Sequence, residues 1–470
     1  MATYFLRKPL ARFVAEAEGG GEHALKRALG PFDLVMLGIG AIIGTGIFVL
    51  TGVAAVDHAG PAVVASFGVA GLACALAALC YAEFATLIPI SGSAYSYSYA
   101  TLGEIVAWVI GWDLILEYAV AASTVASGWS GYFLAMMRSL GIGIPVALSA
   151  APGTVPGALI NLPALLVILA ITALLVVGIR ESATFNSIVV ALKLVVVLFV
   201  IVAGAGYVDT AHWQPFAPFG WNGVMAGAAL VFFAYIGFDS VTVAAEESRR
   251  PERDMPIGIL GSLAVCTLLY IIVAGVVTGM VPLDQIDRAA PLASAFLSRG
   301  NELAAQLIAI GAIAGLPSVL LVLLLGQSRI FFAMSRDGLI PPVFSRIHPR
   351  FRTPHVSTII VGVLVAMLAA LAPLKALAEL VSIGTLFAFV LVSGGVVVLR
   401  RVAPDLQRPF RCPGVPWIPV LAILSCAYMM ASLPGVTWLR FLGWLIAGFF
   451  VYWFYSVRHS KLLEPPEAEA

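Results

Sequence analysis

The sequence predicts an all-α polytopic membrane protein with twelve transmembrane helices. Three observations lead to that fold class. The chain's 470 residues are 61% hydrophobic and only 11% charged, against about 25% charged in a soluble globular domain. That is too little charge to coat a water-facing surface. Twelve apolar stretches approach or exceed the roughly 20 residues that cross a bilayer. The basic residues, finally, divide very unevenly between alternate loops.

The stretches lie near 33–56, 61–88, 103–137, 161–178, 184–207, 221–246, 256–281, 302–333, 355–372, 377–399, 416–433 and 436–456. Gly60-Pro61, Pro89, Pro163, Pro282, Pro341-Pro342, Pro373 and Pro413 punctuate their edges. With both termini in the cytoplasm, 20 of the 26 Lys and Arg residues fall on that side. Only Arg138, Arg288, Arg299, Lys375 and Arg440 fall outside. This is the positive-inside pattern, and it agrees with an even number of spans. The remaining basic residue, Lys193, lies inside a span.

The expected organisation is a cytoplasmic segment over 1–30, a core over 31–400, two accessory helices over 401–457 and a cytoplasmic tail over 458–470. The core divides into five-helix halves near 31–208 and 220–400. The beginning of the chain lacks an uncharged apolar stretch and a cleavage site, so no removable signal is expected. Phe5, Leu6, Leu10, Phe13 and Val14 can form one face of a short helix, opposite Arg7, Lys8 and Arg12. That pattern suits a helix lying on the inner leaflet; a tail without fixed structure is the alternative.

Composition also excludes function classes. The net charge is +1 and no basic run is dense, which argues against a nucleic-acid partner. Cys74, Cys80, Cys266, Cys412 and Cys426 form no CxxC or Cys/His cluster, so no metal site or disulfide framework is expected. No nucleophile–base–orienter set appears, so an enzyme is not expected, and neither is a cofactor. The lipid bilayer is the one partner implied by composition. Oligomeric state is left open, with a monomer compatible.

Two spans carry unusual chemistry: LGIGAIIGTGIFVLTG and ALVFFAYIGFDSVTVAAEE. A dinucleotide fingerprint does not fit the first, because its third glycine comes one position late and the run sits inside a span. Gly40 and Gly44 form a GxxxG, which serves helix packing. The other reading is a helix that unwinds. A free main-chain N–H or C=O in lipid costs several kcal/mol unless protein or a cavity satisfies it. A polar substrate can do so at mid-membrane. Interrupted helices at corresponding places in two halves mark such sites in transporters. The unwound pieces are expected at Gly44-Thr45-Gly46 and at Ala234, Tyr235, Ile236 and Gly237, with Asp239 capping the helix beyond. A helix N-terminus attracts a carboxylate and a C-terminus offers carbonyls to an ammonium, so the pair suits an amino acid zwitterion.

Ionisable residues inside spans are functional candidates. Glu83 lies near a span end and reads as an interfacial or structural acid. Glu246 and Glu247 sit near a helix end, in water. Asp113 and Glu117 are four apart and share a helix face, with a structural polar network as the competing reading. Lys193 lies nine residues into its span, counting from Phe185. It is expected either to carry protons or to stand as a fixed cation against the first break. Glu117 is its partner by depth.

GIGAIIGTGIFVLTG, YAEFATLIPISGSAYSYSY, GWDLILEY, FFAYIGFDSV with AAEESRRPERDMPIGI, and RIFFAMSRDGLIP together resemble the amino acid–polyamine–organocation superfamily. Within it the chain is similar to the bacterial form of the cationic amino acid transporter branch, from about residue 5 to 456. The resemblance implies a five-plus-five inverted repeat of the LeuT type with broken helices 1 and 6, plus two helices. It implies amino acid uptake by alternating access, driven by protons; the alternatives are electroneutral exchange of amino acids or polyamines and a non-transporting amino acid sensor. Carried onto this sequence, it places the substrate carboxylate at Thr45 and Gly46, with the main chain of Ile42, Ile43, Gly44, Thr45 and Gly46 expected to hold the substrate. It places ammonium-facing carbonyls at Ile42, Phe233, Ala234 and Ile236, and Phe233 also as an aromatic gate. Lys193 falls where sodium-coupled members of the fold hold a cation, which favours protons over sodium. Lys193, Glu117 and Asp239 are thus the proton-coupling candidates. Vertebrate members have fourteen spans, so their regulation does not carry over. Leu323 faces the side-chain end of the pocket and favours small neutral L-amino acids, while Glu117 and Asp239 keep cationic ones open.

Overall fold

The computed structural model describes residues 29–88, 93–177, 183–243, 245, 248–348 and 353–461. The expected amphipathic segment before residue 29, the charges at Arg180, Glu246, Glu247, Arg350 and Arg352, and the tail beyond 461 lie outside them. Among the described residues the fold is helical, with two isolated β-bridges, Leu29 to Ser248 and Ser149 to Asn161. In chain order the longer helices are α1 (Pro31–Ile42), α2 (Val63–Leu87), α3 (Ser93–Thr101), α4 (Glu104–Ser139), α5 (Leu162–Val177), α6 (Ala183–Ala205), α7 (Gly220–Val231), α8 (Pro251–Met280), α9 (Pro291–Ser298), α10 (Glu302–Arg336), α11 (His355–Leu371), α12 (Leu374–Val402), α13 (Trp417–Ala431) and α14 (Gly435–Val451).

Among the described residues, seven helical segments are long and apolar enough to cross a membrane: Gly46–Leu87, Glu104–Ser139, Ile188–Ala205, Pro251–Met280, Glu302–Arg336, Leu374–Val402 and Gly435–His459. Five shorter apolar helices, Pro31–Ile42, Leu162–Val177, Gly220–Tyr235, His355–Leu371 and Trp417–Ala431, occupy the other predicted stretches. Large apolar side chains point away from the protein along these helices, such as Ile188, Val195 and Val202 on α6 and Leu439, Ile446 and Phe450 on α14. They are seven or four apart, the spacing of one outward face.

Local chemistry sets the helix ends. Pro31 opens α1, and the Asp33 carboxylate accepts the Gly30 N–H at 2.9 Å. Pro251 opens α8 with Glu252 and Asp254 in its first turn. The Asn301 side chain caps α10 by accepting the Ala304 N–H. Pro317 lies inside α10, where it cannot donate to Ile313 O. The Trp129 indole donates to that carbonyl instead, at 3.0 Å.

The predicted first span breaks one residue earlier than expected. α1 ends at Ile42, and Ile43 is extended (φ −72°, ψ 96°). Thr45 is already helical (φ −56°, ψ −24°), and Gly46–Leu50, Thr51–Ala54 and Ala55–Ala59 continue as π and α turns. The interruption is therefore Ile43–Gly44, and Gly46 belongs to the second half. The sixth span breaks later than expected. Phe232–Tyr235 is a 3-10 turn, Ile236 is extended (φ −60°, ψ 133°) and Gly237 has φ 118°. Ala234 and Tyr235 thus remain wound, because the glycine that takes the left-handed turn is Gly237.

The packing has a regular pattern. α2 packs on α8, α4 on α10 and α5 on α11. α1 lies against α6 and α8; α7 lies against α12 and α2. α6 touches α8 and α10, and α12 touches α2 and α4. α13 packs on α12 and α2, and α14 on α12 and α4. Trp112 and Trp444 fasten α14 to α4 by a reciprocal pair, each indole N–H donating to the other's carbonyl at 2.8 and 3.0 Å.

Glu83 is structural. Its fully buried carboxylate accepts from Arg400 (2.8 and 3.0 Å), Arg408 (3.1 Å) and the Cys412 N–H (2.8 Å). This ties α2 to the end of α12 and the loop after it. Removing one partner of a buried ion pair costs about 3–5 kcal/mol. Glu83→Gln should therefore lower the melting temperature of the detergent-solubilised protein clearly. An unchanged value would show that the cage contributes little.

Candidate functional site

The two interruptions face each other. A Cβ on Gly46 would overlap Ala234 Cα and lie 3.1 Å from Ala234 N, so only glycine admits the second half of the first span this close. A Cβ on Gly237 would lie 2.9 Å from Ala41 C and O. Between them lies a cavity lined by Ala41, Ile42, Gly44, Thr45, Gly46 and Phe233. Ile236, Gly237, Ala121, Val125, Val319, Val322 and Leu323 complete it. It measures ≈ 20 Å³, room for about one water molecule. Anything larger fits only as the walls move apart.

Seven of the nine residues expected at the substrate, Ile42, Gly44, Thr45, Gly46, Phe233, Ile236 and Leu323, line this cavity. Ile43 and Ala234 do not. The chain turns at Ile43 and buries its side chain in the core, and Ala234 packs against Gly46. Ala121, Val125, Val319 and Val322 join the lining without having been singled out. Their only sequence signal is helical spacing in apolar runs, which core residues share.

The end of α1 leaves main-chain carbonyls without helical partners. Ile39 O accepts the Ile43 N–H at 2.8 Å. Gly40 O accepts from Lys193 Nζ at 2.9 Å. Ile42 O lies 2.8 Å from the Tyr270 hydroxyl, which is also 3.0 Å from Ala234 O. One tyrosine of α8 thus bridges both interruptions, and two of the four carbonyls expected for an ammonium, Ile42 O and Ala234 O, already share a donor. Lys193 is 1% exposed, a cation at the negative end of a half-helix. Its expected partner was Glu117. The hydrogen-bond partner is instead Gly40 O, because the broken helix supplies an orphan acceptor. Glu117 is buried with the Thr385 hydroxyl of α12 in hydrogen-bonding reach. The Asp239 carboxylate accepts the Gly237 N–H at 3.2 Å, on the break itself. Neither Glu117 nor Asp239 lines the cavity.

Towards the C-terminal end of α4, residues 287–291 pack between the second half of the first span and α4. Pro291 lies against Gly52, and Ala289 O against Gly131 of α4. Asp57, beyond the second half of the first span, holds this segment through Arg288 at 2.7 Å, with Lys375 3.8 Å away. No group of three or more His, Cys, Asp or Glu able to hold a metal occurs among the described residues.

Residues 29–457 match the amino acid permease family model. The chain is 54% identical over 465 residues to the branched-chain amino acid permease BcaP of Bacillus subtilis, covering 98% of this chain and 99% of that one. It is 49% identical over 462 residues to the methylthioribose transporter of the same organism, covering 98% and 100%. It is 41% identical over 385 residues to human cationic amino acid transporter 4, covering 81% and 60%. The chain belongs to the amino acid permease family of the amino acid–polyamine–organocation superfamily, in the bacterial form of its cationic amino acid transporter branch, and is a multi-pass membrane transporter rather than an enzyme.

Proposed function

We propose that the protein imports neutral L-amino acids across the cell membrane by alternating access, driven by an inward proton gradient. One observation carries this reading: two facing helix interruptions meet at a single apolar cavity, and a buried lysine caps the first of them. The carboxylate goes to the main-chain N–H groups at Thr45 and Gly46, at the start of the second half-helix. The ammonium goes to carbonyls around Ile42 and Ile236. Lys193 moves the proton or releases Gly40 O when it does, with Glu117 and Asp239 as further acids.

The architecture proposed is twelve crossings with both termini inside, in a five-plus-five inverted repeat of the LeuT type. The helix pairing supports it. Exchanging each helix for the one five crossings further on turns α1–α6 into α7–α12 and α1–α8 into α7–α2. It turns α6–α10 into α12–α4, and α6–α8 into α12–α2. The pairs α2–α8, α4–α10 and α5–α11 map onto themselves.

The side-chain end of the cavity is apolar, with Ala121, Val125, Val319, Val322 and Leu323. This favours alanine-sized to branched apolar side chains over cationic ones, which would meet no acid in the lining. The name of the Bacillus subtilis permease points the same way. In liposomes, labelled alanine should accumulate under an inward proton gradient without sodium. Accumulation that requires sodium and ignores protons would contradict the coupling. Accumulation only with amino acid preloaded inside would favour exchange.

A further inference from the structure

We propose that Asp113 is a further proton-carrying carboxyl, one helical turn from Glu117, through which the coupled proton passes between the substrate cavity and the N-terminal end of α4. The inference rests on the proton-coupled reading above.

Asp113, Glu117, Ala121 and Val125 are spaced by four along α4. They form one stripe, each step rising about 6 Å. Ala121 and Val125 line the cavity. Glu117 is the next rung and Asp113 the one below it. Asp113 is fully buried, and neither of its carboxyl oxygens has a hydrogen-bond partner among the described residues. From α12, Gly384 faces it so closely that a Cβ there would lie 2.9 Å from Oδ1. From α10, Gln327 donates to Ile115 O at 3.0 Å. The Gln327 Oε1 is also without a partner. These facing groups and Thr385 are all neutral. The charged neighbours of the stripe are Glu117 itself and, beyond it, Asp239.

An acid kept for packing alone would be hydrogen-bonded, as buried polar groups are. An ionised carboxylate with neither cation nor donor is far less stable in an apolar interior than the neutral acid. Glu117, one turn away, has the Thr385 hydroxyl as its donor, and a charge on either acid opposes a charge on the other, so a proton shared by the pair can pass between them. In the transfer an O–H bond breaks at Glu117 and one forms at Asp113, leaving Glu117 ionised and Asp113 neutral. Asp113 then releases the proton to water towards the α4 N-terminus. No electrons change hands. A single bridging water between the two carboxyls would carry the transfer.

Asp113→Asn keeps the shape and cannot carry the proton. In liposomes containing the full-length protein, proton-driven accumulation of alanine should fall at least about tenfold. Exchange of alanine for alanine without a gradient should fall much less, and Asp113→Glu should restore part of the accumulation. Accumulation by Asp113→Asn equal to the unmodified protein would overturn the proposal. So would an equal fall in accumulation and exchange with a lowered melting temperature, which marks a structural residue. If the unmodified protein itself ignores the gradient, the proton-coupled reading fails first and this inference with it.

Discussion

Lys193→Met should reduce proton-driven amino acid uptake at least about tenfold, because the basic group at the first break is gone. The lysine's ammonium donates to Gly40 O at 2.9 Å from a position that is 1% exposed. Methionine fills a similar volume but donates nothing. It leaves Gly40 O orphaned at the end of α1, a loss of about 1–3 kcal/mol for a buried acceptor. A modest fall in melting temperature should accompany the loss of uptake. The coupling role predicts more than that. Without a group that can give up a proton beside the break, the state of the half-helix no longer responds to the gradient. Uptake that persists unchanged in Lys193→Met would reduce the lysine to a cap on α1.

Gly46→Leu should abolish alanine binding. Even a Cβ at this position would overlap Ala234 Cα, so the side chain forces the two interrupted segments apart. It also fills the start of the second half-helix, where the carboxylate is proposed to sit. Gly46→Ala makes the same clash with fewer atoms and should weaken binding less. Both are read by ligand-induced thermal shift on monodisperse detergent-solubilised protein. Alanine binding that survives in folded Gly46→Leu would remove this glycine from the substrate site.

The membrane-crossing helical class was legible because it follows from quantities that sum along the chain. Charge is scarce everywhere, and apolar length recurs between Pro and Gly punctuation. The interruptions were legible only to within a residue or two. Glycine density marks where a helix can open, but the residue that leaves the helix depends on what approaches it. At the first break Ile43, not Thr45, is extended, because Gly46 is needed helical against Ala234. Lys193 stood out as a basic residue deep in an apolar run. Its partner did not, since depth gives one coordinate and the partner is a main-chain carbonyl that exists only because α1 ends at Ile42. Tyr270 was missed for a similar reason. One more tyrosine in an apolar helix reads as core, and nothing local shows that its hydroxyl meets carbonyls from both interruptions. Ala121, Val125, Val319 and Val322 gave no signal beyond spacing, since a wall of an apolar cavity and a wall of the core use the same residues. Asp113 was visible as a buried acid from the start. Its lack of a partner was not, because that is a property of the three helices around it.

The central claim is that main-chain groups at the two interruptions hold both charges of one amino acid. Competition against labelled alanine tests it most directly, using leucine, 4-methylpentanoate and 3-methylbutylamine, with methylthioribose included. The two leucine analogues keep the apolar chain and lack the ammonium or the carboxylate respectively. Each charge-assisted hydrogen bond contributes about 1.5–3 kcal/mol, so each analogue should compete at least about tenfold more weakly than leucine. An analogue with a single charge that competes as well as leucine, or methylthioribose competing better than any amino acid, would contradict the account.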